Sequence, residues 1–312
     1  MGCNRNLGRR RKAVWKCCLC IPSLRFSLAV GCALRAARGK RFCVQKKNRM
    51  AAPKVGYVDS PEYRAWCRCL PCHAERQMYT FALIQSCSLF NKFGLKLFAP
   101  IPATRHELES FHDPTYCAML LDPNPTTIKA RELEQYNLVD DSYVFDGLNI
   151  YCTYVAGASL TAANLLGSGR VDIAINWGGG RHHAGRDAAS GFCYVNDVVL
   201  AVERLQGHGL DRVLVVDLDI HHGDGTEEAF YYSSSVYTIS FHKWARGYFP
   251  GTGAPKCVGQ GPGRYTNLNV PVLDGIVDEQ YTVLVSTIVT AAAQRFDPHC
   301  IVVVCGVDTL ST

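Results

Sequence analysis

Residues 213–225 read VLVVDLDIHHGDG, an apolar run that ends in three carboxylates and two imidazoles. The apolar part predicts a buried strand. Alternate side chains of extended backbone share a face, so Asp217, Asp219 and His221 are expected to project to one side. A carboxylate and an imidazole at that spacing can bind a metal ion. The alternative is a polar turn with helix-capping acids, but a cap accounts for only one acid.

Apolar strands and helical patterns alternate along the rest of the chain. Strands are predicted at 54–58, 172–177, 213–220, 235–242 and 300–305. Helices are predicted at 74–90, 107–121, 150–166, 195–205 and 278–292. This alternation predicts an α/β fold, an open parallel sheet covered by helices on both faces. The polar ends of 172–177, 213–220 and 300–305 should then meet at one edge of the sheet.

Basic residues are concentrated at the start of the chain. Residues 1–50 hold 14 of the 33 Lys and Arg and none of the 27 Asp and Glu, so residues 51–312 carry a formal net charge of −8. An acidic domain attracts basic peptides rather than nucleic acid. We expect residues 1–49 to be a basic, Cys-rich leader that is disordered or not native, and residues 50–312 to form one folded domain that carries the function.

The remaining composition is that of a globular chain. Its 312 residues are 48% hydrophobic, but no apolar run reaches the 18 residues that indicate a membrane span. The 16 cysteines include several inside apolar runs, such as Cys193, Cys300 and Cys305. Buried free thiols of this kind indicate a reducing compartment.

Three candidate metal ligands follow predicted strands: Asp219, His221 and Asp308. Two carboxylates and one imidazole suit Zn²⁺ or a similar divalent ion such as Fe²⁺, and three protein ligands leave a position open for water. An open position is typical of a catalytic site. For Asp308 the alternative is a helix N-cap after the last strand.

The pair His182 and His183 lies in a glycine-rich loop after the strand 172–177. Such a pair serves proton transfer or metal binding, and Asp217 and Asp224 are available to fix the two tautomers. A second metal site and an exposed pair without a role are the alternatives.

Aromatic residues occur in two glycine-rich loops, Gly191-Phe192 and YFPGTG at 248–253. Two rings that face each other across a narrow channel would hold a slender aliphatic stem. A place in the core is the alternative, although glycine lets backbone approach a ligand closely.

Five ordered motifs carry a resemblance to a known family: INWGGGRHHA (175–184), SGFCYVND (190–197), VDLDIHHGDG (216–225), YFPGTG (248–253) and GVDT (306–309). Over roughly residues 54–312 the sequence resembles the class I histone deacetylases of the arginase–deacetylase superfamily. The resemblance implies that fold and zinc-dependent hydrolysis of Nε-acetyl-lysine to lysine and acetate, in chromatin and transcription regulation. It also implies acetylated histone tails, other acetyl-lysine proteins and corepressors as partners, a nuclear or cytoplasmic location, and no binding to nucleic acid or membranes.

The resemblance also implies residue roles, each at a position that matches a family motif. The zinc ligands are Asp219, His221 and Asp308. The catalytic pairs are His182 with Asp217 and His183 with Asp224, and His183 is the proton shuttle. The tunnel wall is formed by Gly191, Phe192 and Phe249, the substrate backbone is held by Asp141, and the acetate exit is lined by Arg76. The resemblance also implies a structural K⁺ site that uses Asp217, Asp219, His221 and Ser240 with backbone carbonyls.

The sequence departs from the family pattern at several positions. Arg181 stands where the family commonly has tryptophan, Ser142-Tyr143 replaces Cys-Pro, and Val307 replaces alanine. No tyrosine follows Tyr281, so the family's catalytic tyrosine has no counterpart, and the C-terminal part of the domain is expected to be missing. Two other functions stay open on these grounds. One is an inactive module that binds acetyl-lysine or a partner, and the other is an amidohydrolase related to those acting on acetylpolyamines, or an arginase-like hydrolase with two metals.

Overall fold

The computed structural model describes residues 14–17 and 52–309. Its strands are β1 (Val14–Cys17), β2 (Val55–Val58), β3 (Lys96–Phe98), β4 (Ile173–Ile175), β5 (Val213–Asp217), β6 (Val236–Lys243), β7 (Asn267–Val272) and β8 (Cys300–Val304). Its helices are α1 (Pro61–Cys67), α2 (Arg76–Ser86), α3 (Leu89–Phe93), α4 (Arg105–Leu108), α5 (Pro114–Leu120), α6 (Ala130–Gln135), α7 (Leu148–Gly167), α8 (Asp197–Gly207), α9 (Asp224–Phe230) and α10 (Asp278–Phe296).

The strands of the described residues form one parallel sheet in the order β3-β2-β4-β1-β8-β5-β6-β7. The predicted parallel α/β architecture is therefore confirmed. Strand β5 lies between β8 and β6, with Asp217 opposite Val304 on one side and Ser240 on the other. This register brings the carboxyl ends of β5 and β8 to the same level of the sheet edge.

Helices cover both faces of the central strands. Val213 and Val215 of β5 pack in the cluster that contains α7 and α8, whereas Leu214 and Val216 pack in the cluster that contains Val285 of α10. Every residue of β5 and β8 is buried. A fully buried valine or leucine side chain contributes about 1.5–3 kcal/mol, so a continuous apolar run is what a strand covered on both faces requires.

Several predicted boundaries were wrong. The helix expected at 74–90 is two helices, α2 and α3, separated at Ser88, whose backbone is left-handed with φ 55°. The helix expected at 107–121 is also two, because Asp113 caps a new start and Pro114 takes its first position. The strand expected at 213–220 ends at Asp217, so Asp219 and His221 lie in a bend rather than on one strand face.

Six elements were not predicted: α1, α6, α9, β1, β3 and β7. Strand β3 has only three residues, none of them fully buried, so it carries little apolar signal. Strand β7 contains Pro271, which a sheet tolerates at an edge, and β7 is an edge strand here.

Strand β1 belongs to the leader and lies inside the sheet, between β4 and β8. Lys16 is opposite Ile175 on one side and Val303 on the other. The sequence of this segment has no clear period of two, and no strand was expected there. The other leader residues lie outside the described residues, as do 310–312, so the proposed division of the chain at residue 50 stays a prediction.

Two further observations concern the whole described region. The ten cysteines of residues 52–309 are free thiols, several of them buried. None of its helices is both long enough and apolar enough to cross a membrane.

Candidate active site

The carboxyl ends of three strands meet at one edge of the sheet. After β5 the chain bends and presents Asp219 and His221, and after β8 it presents Asp308. The loop after β4 presents His182 and His183 beside them. The structure therefore brings together residues that are more than 120 positions apart in the chain.

Asp219, His221 and Asp308 form the metal-ligand cluster found within the described residues, with ligand atoms all within 4.8 Å of one another. Nδ1 of His221 lies 3.2 Å from Oδ1 of Asp219 and 2.9 Å from Oδ2 of Asp308. Ligand atoms on a tetrahedral Zn²⁺ are about 3.3 Å apart when each bond is about 2.0–2.1 Å. The donor types and their spacing thus fit a divalent ion.

Backbone contacts hold this cluster in place. The amide N–H of Ile220 donates to Oδ1 of Asp308 at 3.1 Å, and that of His221 donates to Oδ1 of Asp219 at 2.9 Å. Gly306 is required because a Cβ at this position would overlap Asp219. Hydrogen bonds to Asp219 and Asp308 raise the pKa of His221 to about 9. Burial opposes ionisation of Asp219, yet the facing histidines hold its pKa below the ordinary value.

Each histidine of the pair has its own carboxylate. Nδ1 of His182 lies 2.5 Å from Oδ2 of Asp217, and Nδ1 of His183 lies 2.7 Å from Oδ1 of Asp224. Both imidazoles are buried, and their ring centroids are 3.9 Å apart. Because a carboxylate accepts at each Nδ1, the hydrogen of a neutral ring is held there and Nε2 is left as the base. Nε2 of His182 is 3.8 Å from Oδ1 of Asp219, so the pair adjoins the metal cluster.

The two histidines differ in proton affinity. Burial would lower the pKa of His182, but the carboxylates of Asp217 and Asp219 outweigh burial and raise this pKa to about 10. Burial and the charge of His182 lower the pKa of His183. The pair therefore favours one protonated ring, at His182, and one neutral ring, at His183.

Two aromatic rings and a glycine pack against His183 and His221. The ring of Phe249 lies 4.9 Å from that of His183 and 5.9 Å from that of His221. Gly191 has φ 52°, and a Cβ there would lie 2.7 Å from Cδ2 of His183. The ring of Tyr248, which the sequence assigned no separate role, is stacked on His221 at 5.3 Å and 5°. Of the predicted wall, the structure places Gly191 and Phe249 directly against the histidines.

Three further predicted residues, Phe192, Asp141 and Arg76, have contacts with residues outside the metal cluster. Phe192 contacts His73, with ring centroids 5.8 Å apart. Asp141 is exposed in the short 3₁₀ turn Asp140–Ser142 and accepts a hydrogen bond from the hydroxyl of Ser142 at 2.9 Å. Arg76 begins α2 and lines a cavity together with Arg181.

Sequence reasoning missed the groups that hold the histidine loop. The carboxylate of Asp197 accepts the backbone N–H groups of Gly180 and Arg181 and the hydroxyl of Ser159. The side chain of Asn196 donates to the carbonyl of Ala184 at 3.0 Å. Both residues are fully buried at the start of α8. The signal available in the sequence was the pair of polar residues Asn196 and Asp197 directly before an apolar helical pattern.

A second missed group is His112, which is fully buried. Its Nε2 accepts the backbone N–H of Asn196 at 3.0 Å, and its Nδ1 lies 3.2 Å from the carbonyl oxygen of Arg186. His112 thus joins both ends of the segment that follows the histidine pair. Nothing local in the sequence indicates a contact across 84 positions.

Comparison with known proteins identifies this arrangement. The sequence pattern of the histone deacetylase domain matches residues 70–312. The chain belongs to the histone deacetylase family. It is 45% identical over 244 residues to histone deacetylase 2 of Oryza sativa subsp. japonica, which covers 77% of this chain and 47% of that relative.

Other histone deacetylases give similar matches. Histone deacetylase 19 of Arabidopsis thaliana is 45% identical over 244 residues, 77% of this chain and 48% of its own length. Histone deacetylase 1 of Homo sapiens is 40% identical over 244 residues, 77% of this chain and 50% of its own length. The chain spans about half the length of the curated relatives it matches. The family resemblance stated from the motifs is confirmed, and the parallel sheet flanked by helices is consistent with the arginase–deacetylase fold.

Proposed function

We propose that this histone deacetylase domain hydrolyses Nε-acetyl-lysine in proteins and that the reaction requires a divalent metal ion, with Zn²⁺ as the first candidate. The observation that carries the proposal is the adjacency of the Asp219–His221–Asp308 cluster to two His–Asp pairs whose imidazoles are buried. A three-ligand cluster of this type keeps a coordination position open, and the neighbouring pairs supply proton transfer.

A metal held by Asp219, His221 and Asp308 would supply Lewis acidity for the amide carbonyl and for a water molecule. His183, the neutral ring of the pair, takes the proton of that water as its oxygen adds to the carbonyl carbon. His182 donates a hydrogen bond to the oxygen that becomes negative. When the C–N bond breaks, His183 returns the proton to the lysine nitrogen, so that lysine and acetate leave. Asp217 and Asp224 keep both rings oriented throughout.

The shape and charge around the site favour a lysine side chain in a basic peptide. Phe249 and Gly191 pack against His183, and we expect them, with Phe192, to line a channel that suits an aliphatic stem. Asp141 is exposed and is the residue proposed to hold the substrate backbone. Residues 51–312 carry a formal net charge of −8, which attracts Lys- and Arg-rich segments. Acetylated histone tails and other acetyl-lysine proteins are therefore the proposed substrates, with corepressors as partners, in the nucleus or cytoplasm.

A structural K⁺ is proposed beside the metal cluster. Asp217 and Ser240 are opposite each other in the sheet, and Asp219 and His221 follow in the same bend. The hydroxyl of Ser240 is 2.9 Å from Nδ1 of His242.

Acetate release from an acetyl-lysine peptide by the full chain, loaded with one equivalent of Zn²⁺, tests the proposal. H183A, loaded to the same zinc content, is the matched control and should release acetate at least 100-fold more slowly. Metal-dependent peptide binding without turnover by the wild type would support the inactive binding module instead. Activity that needs close to two metals per chain would support the arginase-like alternative.

A further inference from the structure

A cavity next to the histidine loop combines an apolar wall with cationic groups. Cys67, Leu70 and Trp177 supply the apolar wall, and Arg76 and Arg181 supply the cationic groups. The imidazole of His73 also lines the cavity, and burial and the two arginines lower its pKa. No Asp or Glu of the described residues lines this cavity. A small cavity with cationic groups and no carboxylate has a positive potential and favours an anion.

The guanidinium of Arg181 has no carboxylate partner among the described residues. Its Nε is buried without a hydrogen-bond acceptor there, and its Nη2 donates only a long bond of 3.4 Å to the carbonyl of Gly178. Asp197 is close, but its oxygens already accept from the backbone N–H groups of Gly180 and Arg181 and from Ser159. A buried cation without a paired anion is costly, so this guanidinium is available to a ligand carboxylate.

The cavity is related to the candidate active site by one shared loop and one ring contact. Arg181 directly precedes His182, so one loop forms a wall of both spaces. His73, which lines the cavity, contacts the ring of Phe192 from the tunnel wall. If the lysine stem enters past Phe249, the acyl group lies on the inner side of the reacting carbonyl, toward the loop that carries Arg181.

We infer that Arg181 makes this site accept acyl-lysines whose acyl chain ends in a carboxylate, such as malonyl-, succinyl- or glutaryl-lysine. The inference rests on the proposed function, because it concerns the acyl group of the same reaction. Water adds to the acyl carbon, the C–N bond breaks, lysine gains the proton and a dicarboxylate leaves. The terminal carboxylate pairs with the guanidinium throughout and takes no part in bond breaking. The tryptophan common at this position in the family has one N–H and no charge to offer.

The experiment compares peptides that differ only in the acyl group. The zinc-loaded full chain is assayed for kcat/KM on acetyl-, malonyl-, succinyl- and glutaryl-lysine peptides, beside R181W, R181K and the control R131L, which changes an exposed arginine of α6. We expect R181W to lower the ratio of the best dicarboxylic acyl peptide to the acetyl peptide at least tenfold. R181K keeps the charge and should retain part of the ratio, and R131L should leave it unchanged.

Binding of the same peptides, measured by titration calorimetry, separates this inference from the proposed function. Absence of turnover on every peptide would contradict the proposed function, whereas a preference for the dicarboxylic peptides that R181W abolishes would still support the role of Arg181. Hydrolysis of the acetyl peptide together with rejection of all three dicarboxylic peptides would overturn the inference. The inference would also be overturned if wild type and R181W had the same kcat/KM ratio of dicarboxylic to acetyl peptide and the same binding preference for the dicarboxylic peptides.

Discussion

Oδ2 of Asp308 lies 2.9 Å from Nδ1 of His221, although the two residues are 87 positions apart and follow different strands. The parallel register of β5 with β8 creates this contact, since Asp217 and Val304 are opposite each other at the strand ends. The geometry of the metal cluster therefore depends on the pairing of these two strands.

Replacing Asp308 by Ala should weaken Zn²⁺ binding by at least about 100-fold, because two ligands remain of three and even an outer-sphere change costs 10–100-fold. Competition with a chromophoric chelator measures the affinity. Asp278→Ala, at the exposed start of α10, is the control and should bind zinc as the wild type does. Equal affinity in both variants would show that Asp308 is not a ligand.

Asp224→Asn should slow deacetylation by roughly 10²–10⁴-fold, the usual contribution of general acid–base catalysis, while Zn²⁺ affinity stays unchanged. The amide cannot hold the hydrogen of His183 at Nδ1 as a carboxylate does, so Nε2 is no longer kept as the base. Steady-state rates on an acetyl-lysine peptide test this, with exposed Asp211→Asn as the control. A loss of zinc together with activity would instead point to a structural role.

The central strands and their polar ends were predictable from sequence, because a strand buried on both faces needs a continuous apolar run and VLVVD at 213–217 is such a run. The residue types and the family motif also predict the His–Asp pairing. The packing of Gly306 against Asp219 was not predictable, since it depends on how two strands lie in register. The burial of His112 was not predictable either, because it depends on a contact with Asn196, 84 positions away in the chain.

The buried His112 should make stability depend on pH. Burial lowers its pKa to about 4, against about 6.5 in an unfolded chain. Between these two pKa values the unfolded state binds the proton and the folded state does not. His112 therefore leaves the free energy of unfolding unchanged above pH 6.5 and lowers it as the pH falls toward 4. The full loss is roughly 3 kcal/mol.

Urea unfolding of wild type and His112→Gln at pH 7.5, 6.5, 5.5 and 4.5 measures this contribution as the difference between the two pH slopes. Gln keeps a donor and an acceptor but does not titrate. The exposed His106→Gln is the control, and it should follow the wild-type slope. Parallel curves for wild type and His112→Gln would contradict the prediction.

Asp197→Asn should destabilise the domain by about 1–3 kcal/mol, the cost of leaving buried donors without acceptors. The substitution exchanges one acceptor oxygen for an NH₂ group that faces the N–H groups of Gly180 and Arg181. Chemical unfolding measures the loss, and exposed Asp187→Asn serves as the control. An unchanged unfolding midpoint would mean that the histidine loop is held by other contacts.

Strand β1 connects the two halves of the candidate site, because it lies between β4, which leads to the histidine pair, and β8, which leads to Asp308. Lys16→Pro removes a backbone N–H in the interior of the sheet and should cost about 3 kcal/mol or more. Lys16→Ala keeps that N–H and is the matched control, so its unfolding midpoint in urea should stay close to that of the wild type. Hydrogen exchange of the amides in β4 and β8 should accelerate in the proline variant only. If both variants unfold like the wild type, the pairing of β1 contributes nothing to the sheet in solution, and β4 and β8 must be held together by the helices that cover them.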